Sequence, residues 1–177
     1  MPTIGVSLGL PEPWATRLQQ YRASIGDVTA YKIPTHITLV PPTHVPIESL
    51  PTVHRHLLNV ANGARSFPIR LKGTGTFRPI SPVVFVALAE GGTGCAELSS
   101  TLRRGPLEIP LAFPFHPHVT VAHHLSEETM DQAQMELADF ECSFGCDAFS
   151  LYVLDPAKGW EAVREYRLEA PAPRVAM

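Results

Sequence analysis

His36-Ile37-Thr38-Leu39 and His118-Val119-Thr120-Val121 repeat one pattern, histidine–apolar–threonine–apolar, in short β-branched surroundings. Each segment reads as a β-strand, and residues two apart on a strand share a face, so each histidine projects with its threonine. A helix follows each strand. The first is expected to begin near Ser49 to Pro51 and to carry Val53, Leu57 and Val60 or Ala61. The second opens at Ser126 ahead of Glu127 and Glu128 and carries Met130, Ala133 and Leu137. A chain that sets down the same strand–helix unit twice points to an internal duplication. The expected architecture is α+β, with antiparallel sheet in each of two lobes. One domain over residues 1–177, built of two interleaved lobes, is the expected organisation.

The remaining segments fill out that plan. Residues 3–10 read as a strand that stops before Pro11, and Pro13 suits the first turn of a helix. Trp14, Leu18, Tyr21 and Ile25 form one helical stripe ending at Gly26-Asp27. Residues 67–78 alternate, which predicts Ile69, Leu71 and Phe77 on one face. Arg70, Lys72, Thr74, Thr76 and Arg78 fall on the other, a face that is either solvent or the wall of an anion-binding cleft. Residues 83–89 are apolar on both faces, as in a central strand. Gly91, Gly92 and Gly94 predict a loop before a helix over 95–104. Two strands are expected to close the chain, over 143–154 and 161–169, with a turn at 156–159. His54 and His56, two apart on a helix, share no face and read as surface residues.

Several function classes fall away. With 45% hydrophobic and 18% charged residues the chain buries a core and is not disordered. No apolar run reaches the length of a membrane span, and the first residues lack the basic start of a signal peptide, so the cytoplasm is the expected compartment. Cys95, Cys142 and Cys146 have neither disulfide-framework nor zinc-knuckle spacing and read as reduced, buried thiols. A net charge of −3 argues against an extended nucleic-acid surface, while leaving room for a nucleotide or an RNA end held by a few local cations.

Each His-x-Thr pair offers an imidazole for proton transfer and a hydroxyl that donates a hydrogen bond to an anionic oxygen. Two pairs facing each other suit in-line displacement at phosphorus. One imidazole deprotonates the attacking group, the other protonates the leaving oxygen, and the threonines hold non-bridging oxygens. At these residues, "HITL" at 36–39 and "HVTV" at 118–121, the sequence resembles the two-histidine phosphoesterase superfamily, in its bacterial 2′-5′ RNA ligase and 2′,3′-cyclic phosphodiesterase branch. The resemblance extends through the strand–helix order and the closing strand pair. It implies a bilobal, pseudo-duplicated fold of two antiparallel sheets around a central cleft, with helices packed outside. It also implies metal-independent chemistry, without cofactor, on a 2′,3′-cyclic phosphate or a 2′-5′ linkage. By motif position His36, Thr38, His118 and Thr120 inherit the catalytic roles. Family members often carry an arginine shortly after the second motif, where this chain has Ala122-His123-His124, and an aromatic and a glycine after the first, where it has Val40-Pro41-Pro42.

His116 shares the face of His118 and is the auxiliary candidate; His123 needs a bulge to reach that face. Lys72, Arg70 and Arg78 are the candidate cations, and Tyr31, Phe115 and Trp160 the candidate base-stacking partners. Two alternatives stand beside this reading. One is a metal-dependent hydrolase using His116, His118 and His123 or His124, against which stand the lack of H-E-x-x-H and the idle threonines. The other is a catalytically silent nucleotide- or RNA-binding module.

Overall fold

In a computed structural model, which describes residues 1–171, the described residues form eight strands and four α-helices. Their order is β1 (Thr3–Gly9), α1 (Trp14–Ser24), β2 (His36–His44), α2 (Leu50–Gly63), β3 (Phe67–Thr76) and β4 (Val83–Glu90). There follow α3 (Gly92–Leu102), β5 (His118–His123), α4 (Glu127–Glu136), β6 (Glu141–Cys146), β7 (Ala148–Asp155) and β8 (Gly159–Arg167). Residues 172–177 of the expected domain lie outside the described residues. The strands form two four-stranded antiparallel sheets, ordered β2-β1-β7-β8 and β5-β4-β3-β6. The fold is α+β, as the repeated strand–helix units predicted.

Alternation builds each sheet. On β1 the buried Ile4, Val6 and Leu8 face the core, and Gly5, Ser7 and Gly9 face the other way. The helices cover the apolar faces: Val53, Leu57, Val60 and Ala61 of α2 are buried, as are Met130 and Ala133 of α4. The Ser126 side chain accepts from the Thr129 amide and caps α4. Cys95, Cys142 and Cys146 are free thiols within the core, and burial pushes them up to about 12, 11 and 12 respectively, so they stay protonated.

Four expectations need correction. The strand expected over 143–154 is two strands in different sheets. Asp147 separates β6, which pairs with β3, from β7, which pairs with β1, so this junction carries the chain from one sheet to the other. The face assignment over 67–78 fails beyond Leu71. Gly73, at φ 78°, sits in a bulge where the register jumps from Leu71↔Leu88 to Thr74↔Val86, and one extra residue reverses the faces after it. Thr74 therefore turns with Leu71 towards α4, where its hydroxyl donates to the Gln134 carbonyl, and Phe77 turns away. The helix expected over 95–104 begins at Gly92. His54 and His56 are half-buried and bonded rather than solvated: His54 shares a hydrogen bond with the Tyr166 hydroxyl, and His56 donates to the Leu102 carbonyl.

β2 continues through Pro41 and Pro42, which its edge position tolerates because one side of an edge strand needs no amide donors. Both motif strands carry a bulge at the same place. The register slips at Leu39 after Thr38, and at Val121 after Thr120, so the duplication extends to an irregularity of the backbone. Helices cross between the halves. α3 packs on β2, where the fully buried Ser99 donates to the Leu39 carbonyl at 2.7 Å, and α1 packs on β5. Ser99→Ala removes the partner of a carbonyl inside the seam and is expected to cost about 1–3 kcal/mol, read as a lower urea midpoint at unchanged slope.

Candidate active site

The edge strands β2 and β5 lie against each other, so the two sheets meet along the strands that carry the motifs. Cross-strand pairing shows what shares the face of each pair. Thr38 stands opposite Ser7 and His36 opposite Gly9; Thr120 stands opposite Phe85 and His118 opposite Ala87. His36 and Thr38 line a pocket of about 160 Å³ with Gly5, Ser7, Pro34, Tyr152 and Trp160.

Both imidazoles are held alike. His36 Nδ1 lies 2.5 Å from the Pro34 carbonyl, and His118 Nδ1 lies 2.6 Å from the His116 carbonyl, two residues upstream in each case. A carbonyl only accepts, so Nδ1 carries the proton and Nε2 keeps its lone pair. Burial pushes the His36 pKa below its ordinary value. The Pro34 bond opposes that, while the charges of Arg22 and His118 add to it. Burial likewise lowers His118, against its backbone bond and with the His116 charge. Both rings are therefore neutral at pH 7, and each titrates within the influence of other basic groups.

The surroundings of the two pairs differ. Phe77 packs edge-on to His118 with centroids 4.9 Å apart, and Phe85 lies 5.4 Å from it. Phe85 occupies the space above Gly75, where a Cβ would stand 2.6 Å from the ring, so only glycine admits it. His116, 6.1 Å from His118, touches the same two phenylalanines. Beside His36 the walls are small and polar instead. Ser7 is 8% exposed, faces the pocket and has no side-chain hydrogen bond among the described residues. It was missed, although small Gly5, Ser7 and Gly9 alternating with large Ile4, Val6 and Leu8 marked a face that leaves room.

The other expected residues divide. Trp160 joins the pocket, with its indole over Gly5 and its amide bonded to the Lys32 carbonyl. Tyr31 is exposed in the loop before β2, and Phe115 is half-buried against the core; neither lines the pocket with His36. The cations do not reach the cleft. Arg78 turns to α4 and pairs with Glu127 and Asp131, both at 2.9 Å. Arg70 and Lys72 pair with Glu141 on β6, at the far edge of the sheet from β5. The bulge at Val121 does bring His123 to the face of Thr120, but its Nε2 lies 3.5 Å from the Asp27 carboxylate. Among the described residues no three or more His, Cys, Asp or Glu side chains converge to hold one metal ion. No described helix is long and apolar enough to cross a membrane.

Comparison with known proteins agrees with this arrangement. The profile of the 2′-5′ RNA ligase superfamily matches residues 10–158. A Halalkalibacterium halodurans protein provisionally named a phosphoesterase is 29% identical over 126 residues, covering 71% of this chain and 72% of that one. A Bacillus cytotoxicus protein of the same provisional name is 28% identical over 138 residues, covering 77% and 80%. Among solved structures, Escherichia coli LigT complexed with 3′-AMP superposes with a TM-score of 0.67 at 20% identity, over 95% of this chain and 99% of that one. A Thermus thermophilus protein gives 0.68 at 21%, over 97% and 100%. At these identities the structural likeness speaks for the fold.

The lowered imidazoles have a measurable consequence. His36, His118 and His123 each bind a proton less readily folded than unfolded. Between their lowered folded values and the unfolded value of about 6.5, the unfolded state holds more protons and low pH favours it. Stability is expected to be full above about pH 6.5 and to fall as pH drops below it. In denaturant titrations from pH 7.5 to 5.5, His36→Gln should flatten that decline; an unchanged profile would contradict the assignment.

Proposed function

The chain belongs to the 2′-5′ RNA ligase superfamily, and on that premise we propose that it is a metal-independent phosphoesterase of 2′,3′-cyclic phosphates or 2′-5′ linkages in nucleotides or RNA ends. The observation that carries the reading is the edge-to-edge meeting of β2 and β5. The strands that carry the two His-x-Thr faces lie side by side, near enough for the His118 charge to act on His36, and both imidazoles are held through Nδ1 with Nε2 left for chemistry.

That geometry suits in-line displacement at phosphorus. A phosphodiester between the pairs accepts hydrogen bonds from Thr38 and Thr120 on its non-bridging oxygens. One Nε2 takes a proton from water as its oxygen attacks phosphorus, and the other imidazole, protonated, gives its proton to the departing ribose oxygen. Protons balance over the cycle, and the imidazoles exchange states before the next turnover. The substrate phosphate supplies the negative charge that favours one imidazolium in a site where burial disfavours it. Trp160, with Tyr152 beside it, offers a face for a nucleobase, which puts the nucleoside on the His36 side. His116 is the auxiliary group on the His118 side.

A panel of nucleoside 2′,3′-cyclic phosphates and 2′-5′ dinucleotides, incubated with chelator present, tests the reading. Turnover is expected with a bell-shaped pH profile. His36→Ala and His118→Ala should each lower kcat/KM about 10²-fold or more, with smaller losses for Thr38→Ala and Thr120→Ala. Nucleotide binding without turnover would favour the silent binding module, and activity lost in chelator and restored by metal would favour the hydrolase. Trp160→Ala should act chiefly on KM, by a loss equivalent to about 1–3 kcal/mol of base stacking. An unchanged KM would remove the nucleoside from the His36 side.

A further inference from the structure

Arg22 and Asp27 are the only charged side chains that are buried among the described residues. Arg22 Nε and Nη2 donate to Asp27 Oδ2 at 3.2 and 3.1 Å, and the other carboxylate oxygen accepts from the Thr29 amide and hydroxyl. Burial raises the Asp27 pKa, but these bonds and the Arg22 charge outweigh it and hold the carboxyl below its ordinary value. A buried ion pair is a poor source of net stability, because desolvation offsets much of its attraction. Its position asks for another explanation.

The third arm of the guanidinium supplies one. Arg22 Nη1 donates to the Ile33 carbonyl at 2.7 Å. The carbonyls on either side hold the site: Lys32 O accepts from the Trp160 amide at 2.9 Å, and Pro34 O accepts from His36 Nδ1 at 2.5 Å. Three consecutive carbonyls thus have three fixed partners, and the middle one is anchored to a buried charge. On the far side of the pair His123 reaches Asp27 from β5, in the other half of the duplication. His118 has no equivalent support, since its carbonyl partner belongs to the exposed His116.

We propose that Arg22 and Asp27 are a positioning pair that sets the loop before β2, and through its carbonyls fixes the orientation and tautomer of His36 and the seat of Trp160. The catalytic consequence rests on the phosphoesterase reading; the orientation of His36 does not. Neither residue touches the substrate. The pair acts on one half of a pseudo-symmetric site, which gives the test an internal control in His118.

The experiment compares the wild-type protein with the double variant Arg22→Met/Asp27→Leu, in which the ion pair is replaced by apolar groups. The readouts are nitrogen-15 spectra of the histidine side chains, kcat and KM on a nucleoside 2′,3′-cyclic phosphate, and thermal unfolding. In a cooperatively folded variant, the Nδ1–H signature of His36 should give way to a tautomer mixture while that of His118 persists. With His36 misaligned, kcat should fall roughly 10-fold or more, and KM should rise through Trp160. If the double variant does not fold, Arg22→Lys takes its place, since an ammonium keeps the charge but cannot span Asp27 and Ile33 with a rigid fork. An unchanged His36 signature in a folded variant overturns the proposal, as does an equal disturbance of His36 and His118, which would mean general loosening. Wild-type protein without turnover sinks the phosphoesterase reading alone, and the spectra still decide the clamp.

Discussion

The edge-to-edge meeting of β2 and β5 is the constraint on which the rest of the structure depends. A sheet edge exposes unpaired amides and carbonyls, and two such edges set side by side must pair, be covered or be bent out of register. This chain uses the last two. Each motif strand bulges one residue past its threonine, so the edges do not run on into one continuous ladder. The irregular backbone is then satisfied from the opposite half, by Ser99 of α3 at the Leu39 carbonyl, while α1 covers β5. Tyr21 of α1 reaching Glu136 of α4 at 2.7 Å adds a further tie. Neither half closes its own seam, which is why the strands switch sheets at Asp147 and the C-terminal β7 and β8 complete the N-terminal sheet.

The two motif strands repeat one pattern down to the bulge, and the residues beside them differ. The positions beside Thr38 and Thr120 are Ser7 and Phe85, a buried free hydroxyl against an aromatic ring. The His36 side has an open, partly polar pocket ending in Trp160; the His118 side has Phe77 and Phe85 packed onto the imidazole. Under the phosphoesterase reading, the open wall beside His36 is the one that takes the nucleoside. The asymmetry comes from residues outside the repeated motif.

Much of this was legible in the sequence because it rests on period and spacing. The α1 stripe, the apolar face of α2, the Ser126 cap and the shared faces of His36 with Thr38 and His118 with Thr120 follow from side-chain directions that a strand or helix imposes. What failed did so for local reasons. A single inserted residue at Gly73 reverses every face beyond it, and alternation cannot announce the insertion, so Phe77 moved to the cleft and Arg78 to α4. Asp147 interrupts an otherwise continuous β pattern without a proline or a turn dipeptide, and the change of sheet there depends on partners far away in the chain. Arg22 lies off the Trp14–Leu18–Tyr21–Ile25 stripe, and no period in the sequence marks it as buried; only the folded loop encloses its charge.

Charge is placed to keep the cleft free of fixed cations. Arg70 and Lys72 are committed to Glu141, and Arg78 to Glu127 and Asp131, so the cations expected near the cleft are neutralised elsewhere. The lining of the His36 pocket includes no lysine or arginine, so an anion there meets hydroxyls and imidazoles first. Under the phosphoesterase reading this couples binding to catalysis. A resident guanidinium would grip substrate and product phosphate alike, and such uniform binding does not lower the barrier. A neutral, desolvated imidazole acquires its proton most readily when the phosphate arrives to share the charge, and a general acid is then present only where there is a leaving group to receive the proton. On that reading, the pairing of the cations elsewhere and the burial of the two motif histidines serve the same end: the imidazolium forms when the substrate's charge is there to stabilise it.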